Sequence, residues 1–149
     1  MWKKAEPYYR ELVAAGINPY IAVGVLGNIA LESAFDPNAN HHGKYHGLTQ
    51  NQTDAKNWII KNYGGYSKAH QMRFLVDGLM GKLQDSNKIP WQREFFKRFA
   101  GFNKATRNLR NIDAITDAWE KHYERSGGQG SPIRRRYANY FAKVLGLIN

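Results

Sequence analysis

Apolar residues recur along this chain at the spacing of an α-helix and almost nowhere at that of a strand. Met72, Leu75, Val76, Leu79, Met80 and Leu83 advance by alternating steps of three and one, which sets them on one face of a helix with 3.6 residues per turn. Ile133, Tyr137, Tyr140, Phe141, Val144 and Ile148 make a second stripe of the same kind. Punctuation agrees with the periodicity. Asn18-Pro19, Ile89-Pro90 and Ser131-Pro132 put proline where a first helical turn tolerates its missing N–H, and Gly16, Gly64, Gly101 and Gly127 fall where helices are expected to stop. The pattern predicts helices near 7–15, 19–33, 53–63, 68–84, 90–100, 112–125 and 132–146. The expected fold class is all-α or mainly α, with about seven helices.

No repeat, low-complexity tract or long linker divides the 149 residues, so residues 1–149 read as one domain, large enough to bury a core unaided. Only Pro37 to Gln50 resists the helical reading. It is rich in Asn, Gly and His, and is expected to be a loop or short hairpin directly after the second helix. Connections of that length in a compact domain often carry function.

The chemistry available is bounded by what is missing. There is no cysteine, which removes disulfides, thiolate metal sites and cysteine nucleophiles. The N-terminal segment Met1 to Pro7 lacks the apolar stretch of a secretory signal, and no run approaches the roughly 18 apolar residues of a membrane span. Twenty-two Lys and Arg against twelve Asp and Glu leave a formal charge of +10, which favours a polyanionic partner: nucleic acid, anionic lipid or the anionic polymers of a cell wall. A helical nucleic-acid-binding module is the rival reading from charge, but no recognisable nucleic-acid motif accompanies it.

In the second helix, Val25, Ile29 and Glu32 lie at i, i+4 and i+7, so the carboxylate leaves the same side as two core-type aliphatics. Partial burial there and the negative end of the helix dipole both favour the protonated form, as a general acid requires. A solvated or ion-paired carboxylate at the rim of the helix is the plainer alternative.

Context carries the reading further. Gly27-Asn28-Ile29-Ala30-Leu31-Glu32-Ser33, followed by Gly47-Leu48-Thr49-Gln50, resembles the active-site signature of the goose-type lysozymes and soluble lytic transglycosylases. With the later Tyr123-Glu124-Arg125 and the Arg-rich final helix Arg134-Arg135-Arg136-Tyr137-Ala138, the chain resembles the phage tail lysozyme family over roughly residues 17 to 142. Members of that family commonly follow Gly-Leu-x-Gln with Trp; this chain has Asn51, and its nearest Trp is Trp58.

The resemblance implies a peptidoglycan-degrading glycosidase of phage origin, an endolysin or tail lysin. Glu32 would protonate the glycosidic oxygen between N-acetylmuramic acid and N-acetylglucosamine, Ser33 would orient that carboxylate, and Gly47, Leu48, Thr49 and Gln50 would line the cleft. Hydrolysis and lytic transglycosylation both fit. A non-catalytic wall-binding protein of the same fold is a further alternative, opposed by the presence of Glu32, Ser33 and Gln50.

The second carboxylate has three candidates, Asp36, Asp54 and Glu124, each with an ordinary structural role. Asp36 before Pro37 suits the turn that ends the helix, Asp54 suits the first turn of the third helix, and Glu124 suits an anchor for arginines of the last helix. Tyr45 is the expected sugar platform and His46 a cleft wall. His41, His42 and His46 have a spacing that could hold zinc, yet solvated loop histidines are the plainer reading; no metal and no cofactor is expected. Trp91, Phe95, Phe96, Phe99 and Phe102 read as core, and Arg134, Arg135 and Arg136 as a solvated basic face with some ion pairing. The expected partners are peptidoglycan and, through charge, anionic wall polymers, with neither nucleic acid nor membrane and with the isolated domain a monomer. The expected location is the phage virion or the host cytoplasm before release.

Overall fold

The computed structural model describes Met1–Asn149 as seven α-helices, one π-helical turn and a small sheet. The helices are α1 (Trp2–Ala14), α2 (Pro19–Ser33), α3 (Thr53–Tyr63), α4 (Lys68–Leu79), α5 (Pro90–Thr106), α6 (Ile112–Trp119) and α7 (Ser131–Val144). The π turn, Glu120–Glu124, continues α6. The sheet lies between α2 and α3, with β1 (Asn40–His41), β2 (Tyr45–His46) and β3 (Asn51–Gln52) antiparallel in chain order. Asn40 faces His46, and His46 faces Asn51.

The core is one cluster of 27 buried apolar residues, and α2 runs through it. Every residue from Ala22 to Ala30 is buried, so this helix is covered on all sides. Gly27 makes that possible: a Cβ there would stand 2.7 Å from Ala138 Cβ and 2.7 Å from the Arg134 carbonyl. A side chain would push α7 away. Asn18 starts α2 by accepting from the Tyr20 N–H at 2.8 Å, with Pro19 in the first turn. The helix stops at two consecutive left-handed residues, Ala34 (φ 50°) and Phe35 (φ 63°). Phe35 is held there by Tyr8, whose ring stacks on it at 5.4 Å and whose hydroxyl donates to its carbonyl at 3.1 Å.

Four predicted boundaries differ. The first helix begins five residues before Pro7, because Trp2 packs on Tyr9 and Phe141 and donates to Glu6, while the exposed Pro7 leaves a carbonyl for solvent. The fourth ends at Leu79 rather than 84, at the left-handed Gly81 (φ 72°). Gly101 is not a stop but lies inside α5, where a Cβ would be 2.7 Å from His122 Nδ1. The sixth predicted helix, 112–125, changes from α to π at Glu120.

Candidate active site

Glu32 is the penultimate residue of α2, and its side chain is 19% exposed. Its Oε1 accepts from Nη2 of Arg134 at 2.5 Å. Arg134, expected on a solvated face, is instead buried with 4% of its side chain exposed. Its fork is fully engaged: Nη1 donates to Asn28 Oδ1 at 2.9 Å, and Nε lies 3.2 Å from Glu120 Oε2. Asn28 is held in turn, donating to the carbonyls of Gly24 at 2.9 Å and Thr116 at 3.0 Å. A buried guanidinium needs this arrangement, since removing a charge from water costs several kcal/mol unless it is paired and hydrogen-bonded. Of its two neighbours, Arg135 pairs with Asp117 at 2.5 Å and Arg136 is exposed.

Glu124, expected to anchor arginines of the last helix, forms no ion pair with them; Arg134 pairs with Glu32 and Glu120 instead. Glu120 is 5% exposed at its side chain and also accepts from the hydroxyls of Ser126 and Ser131. The π turn separates the two acids, with Arg125 N–H reaching the Glu120 carbonyl at 2.6 Å. Glu120 is set against Arg134 and Ser131 of α7, whereas Glu124 turns to Trp119. Glu124 is partly buried and accepts from Trp119 Nε1 at 3.1 Å. Burial, followed by the negative charge of Glu32, pushes its carboxyl well above the usual carboxylate range, against the Trp119 hydrogen bond and the charges of Arg134 and Arg98.

The segment after α2 is pinned to the same place. Ser33 does not reach the Glu32 carboxylate; its hydroxyl donates to the Leu48 carbonyl at 2.9 Å and lies 3.2 Å from that of Ile29. Its role is therefore to tie the Gly-Leu-Thr-Gln turn to the helix. Leu48, Thr49 and Gln50 are buried rather than spread along an open wall. Gln50 donates to the Gly47 carbonyl at 2.8 Å and meets His41 Nδ1 at 2.5 Å. Gly47 (φ 79°) has no room for a side chain, because a Cβ would be 2.4 Å from Gln71 Oε1. Gln71, which nothing in the sequence singled out, accepts from Leu48 N–H at 2.8 Å and donates to the carbonyls of Pro37 and Tyr66.

Asn51 completes the frame. It accepts from the Tyr123 hydroxyl at 2.6 Å and donates to the Tyr66 hydroxyl at 3.1 Å, which donates to the His46 carbonyl at 2.8 Å. Burial pushes the Tyr66 phenol up to about 12, opposed by the Asn51 hydrogen bond and reinforced by the charge of Glu124.

The remaining candidates separate. His46 is nearly buried, with Nε2 3.0 Å from Thr53 Oγ1. Tyr45 stands out from the hairpin at 44% exposure. Asp36 is exposed and closes a turn by accepting from Asn38 N–H at 2.8 Å. Asp54 is exposed in the first turn of α3. The four sizeable surface cavities, of 510 Å³ beside Ile17 and Leu109, 420 Å³ beside Tyr137, 360 Å³ beside Trp58 and 530 Å³ beside Glu120 and Arg135, do not include Glu32.

Three blocks far apart in sequence, Gly27 to Ser33, Gly47 to Asn51 and Tyr123-Glu124, thus meet around one partly open carboxylate. The sequence profile of the phage tail lysozyme family matches residues 3–145. The chain belongs to that family. A phage tail lysozyme is a lysozyme-like protein that acts on peptidoglycan, associated with the virion and directed at the cell wall. No curated protein and no solved structure matches the chain. No helix of this phage tail lysozyme is long and apolar enough to cross a membrane.

Proposed function

We propose that the chain is a muramidase that cleaves the β-1,4 bond between N-acetylmuramic acid and N-acetylglucosamine, with Glu32 as the acid that protonates the glycosidic oxygen. The observation that carries this reading is the convergence of the three motif blocks on Glu32, joined by the Ser33–Leu48 and Tyr123–Asn51 hydrogen bonds. Glycoside cleavage needs a proton at the leaving oxygen and negative charge beside the developing sugar cation. The exposed Tyr45 offers a flat face for a pyranose ring at the hairpin. Backbone groups of Gly47 to Gln50, more than their inward-turned side chains, border the bound strand. The +10 charge holds the enzyme near the anionic wall, whether it acts from the virion tail or as an endolysin.

Digestion of purified peptidoglycan, followed by mass spectrometry of the released fragments, tests the proposal. Fragments ending in reducing N-acetylmuramic acid are expected. Anhydro ends would replace hydrolysis by lytic transglycosylation with the same acid. Absence of glycan cleavage, or equal cleavage by Glu32→Gln, would overturn it.

A further inference from the structure

The cavity of 510 Å³ lies where α4 and α5 end against the start of α2, and two arginines, Arg107 and Arg110, stand on its border. No acidic residue lines it. From Phe95 to Ile112 the chain carries Lys97, Arg98, Lys104, Arg107 and Arg110 and neither Asp nor Glu. Arg107 and Arg110 form no ion pair, although six other arginines do. A guanidinium without a carboxylate keeps its fork of donors for a phosphate. Arg110 is steadied by the Tyr20 ring, whose centre lies 5.8 Å away. The cavity also presents an acceptor: Asn103 donates Nδ2 to the Gly78 carbonyl at 3.1 Å, which fixes the amide and leaves Oδ1 open. Ile17 and Leu79 add apolar surface. Donors for an anion, an acceptor for a hydroxyl and a place for a short carbon chain together suit a phosphorylated polyol. A carboxylate polymer would leave the Asn103 acceptor unused. Single-stranded nucleic acid would call for an aromatic face among the cations, and no aromatic residue lines the cavity.

We infer that this cavity grips the phosphodiester-linked polyol chains of an anionic wall polymer, at a site separate from the glycan cleft. The inference rests on the reading of the chain as a wall-acting enzyme, and it gives the attraction of its positive charge a definite place of contact. Arg107 and Arg110 take phosphate oxygens, a polyol hydroxyl donates to Asn103 Oδ1, and the carbon chain lies over Ile17 and Leu79. No bond is made or broken. The cavity and the acid stand at opposite ends of one buried helix: Ile21, which borders the cavity, and Glu32 are eleven residues apart on α2, about 16 Å along its axis. A polymer held at the first end therefore leaves the second free for a glycan strand. Because such polymers are fixed to the wall, holding one keeps the enzyme at a high effective concentration over the neighbouring strands.

Amide NMR of the full chain, titrated with a glycerol phosphate oligomer, tests the site without any activity assay; polyglutamate and single-stranded DNA of matched charge serve as comparators. Saturable shifts should gather at residues 16–21 and 103–110 and leave Glu32 unmoved. Arg107 and Arg110 are exposed and have no ion pair to lose, so Arg107→Gln/Arg110→Gln should melt like the parent. That variant should bind the oligomer about tenfold or more weakly, since two charge-assisted contacts are gone. Lys61→Gln/Lys143→Gln removes the same charge from exposed positions of α3 and α7 and should weaken binding by less than about twofold. No saturation, equal weakening by the two double variants, or polyglutamate or DNA bound as tightly as the oligomer overturns the inference. In a second arm, glycan fragments should be released from peptidoglycan stripped of phosphate polymers equally by the arginine variant and the parent, whereas walls that retain the polymers should be lysed more slowly by the variant; equal lysis overturns the grip. A parent that binds the oligomer but releases no glycan fragments overturns the glycan-cleaving reading alone, and one that releases fragments without binding the oligomer overturns the grip alone.

Discussion

The hydroxyl of Tyr123 donates to Oδ1 of Asn51 at 2.6 Å across 72 residues of sequence. That bond ties the π turn carrying Glu124 to the strand after the Gly-Leu-Thr-Gln turn, and Asn51 passes the connection on to Tyr66 and His46. Tyr123→Phe should leave a buried amide oxygen without its donor, at a cost of about 1–3 kcal/mol. Thermal denaturation should register the loss, and the lysis rate should fall as the turn loosens. An unchanged melting temperature would show that the bond does not hold the frame.

Glu32→Gln should retain the fold while lowering the lysis rate about 10²–10⁴-fold, because the amide keeps the shape but cannot deliver an acidic proton. Arg134 remains paired with Glu120 and bonded to Asn28 in that variant. Circular dichroism and initial lysis rates measured side by side separate the two effects; more than a tenth of the parent rate would remove Glu32 from the role.

Glu120 and Glu124 should respond oppositely to amidation. Glu120→Gln removes the more deeply buried of the two carboxylate partners of Arg134 and should destabilise, with about 3–5 kcal/mol as the upper bound because Glu32 remains paired. Glu124 has a raised carboxyl, so the folded chain holds a proton that the unfolded chain has released. Stability from this group is therefore complete below the ordinary carboxyl range and is lost as pH rises through the folded value. Glu124→Gln should melt progressively higher relative to the parent across that interval. A difference independent of pH would show that Glu124 is ionised at rest.

Gly27→Ala should be strongly destabilising, since the new methyl would meet backbone and Cβ atoms of α7 at 2.7 Å. Overpacking of this kind typically costs about 1–3 kcal/mol. Chemical denaturation gives the value directly; a neutral outcome would mean that α7 can withdraw without loss.

Lysis of intact cells should weaken with added salt, whereas cleavage of a short soluble oligosaccharide should respond much less, because the excess of basic residues acts on the polyanionic wall over distances that salt screens. Equal salt dependence for the two substrates would show that the field does not steer wall binding.

Local rules alone settle much of this protein. The helical stripes, the prolines of α2, α5 and α7 and the left-handed Gly64 after α3 are properties of short segments, and each is legible as such. The Glu32-Ser33 and Gly47 to Gln50 blocks were legible by resemblance. The tertiary structure decided what those blocks touch. Arg134 is chemically the same as Arg135 and Arg136 beside it, yet only Arg134 faces the gap between α2 and the π turn, where two acids and an amide can pay for its desolvation. Glu120 and Glu124 look interchangeable on a continuous helix, and the wider turn at 120–124 sends them to different partners. Gln71 gave no signal, because the Leu48 N–H and the Pro37 carbonyl, distant in sequence, join the nearby Tyr66 carbonyl as its partners only after folding. Sequence spacing determines which face of its own helix a side chain occupies. Which charge is buried, and against whom, depends on helices that the spacing cannot see.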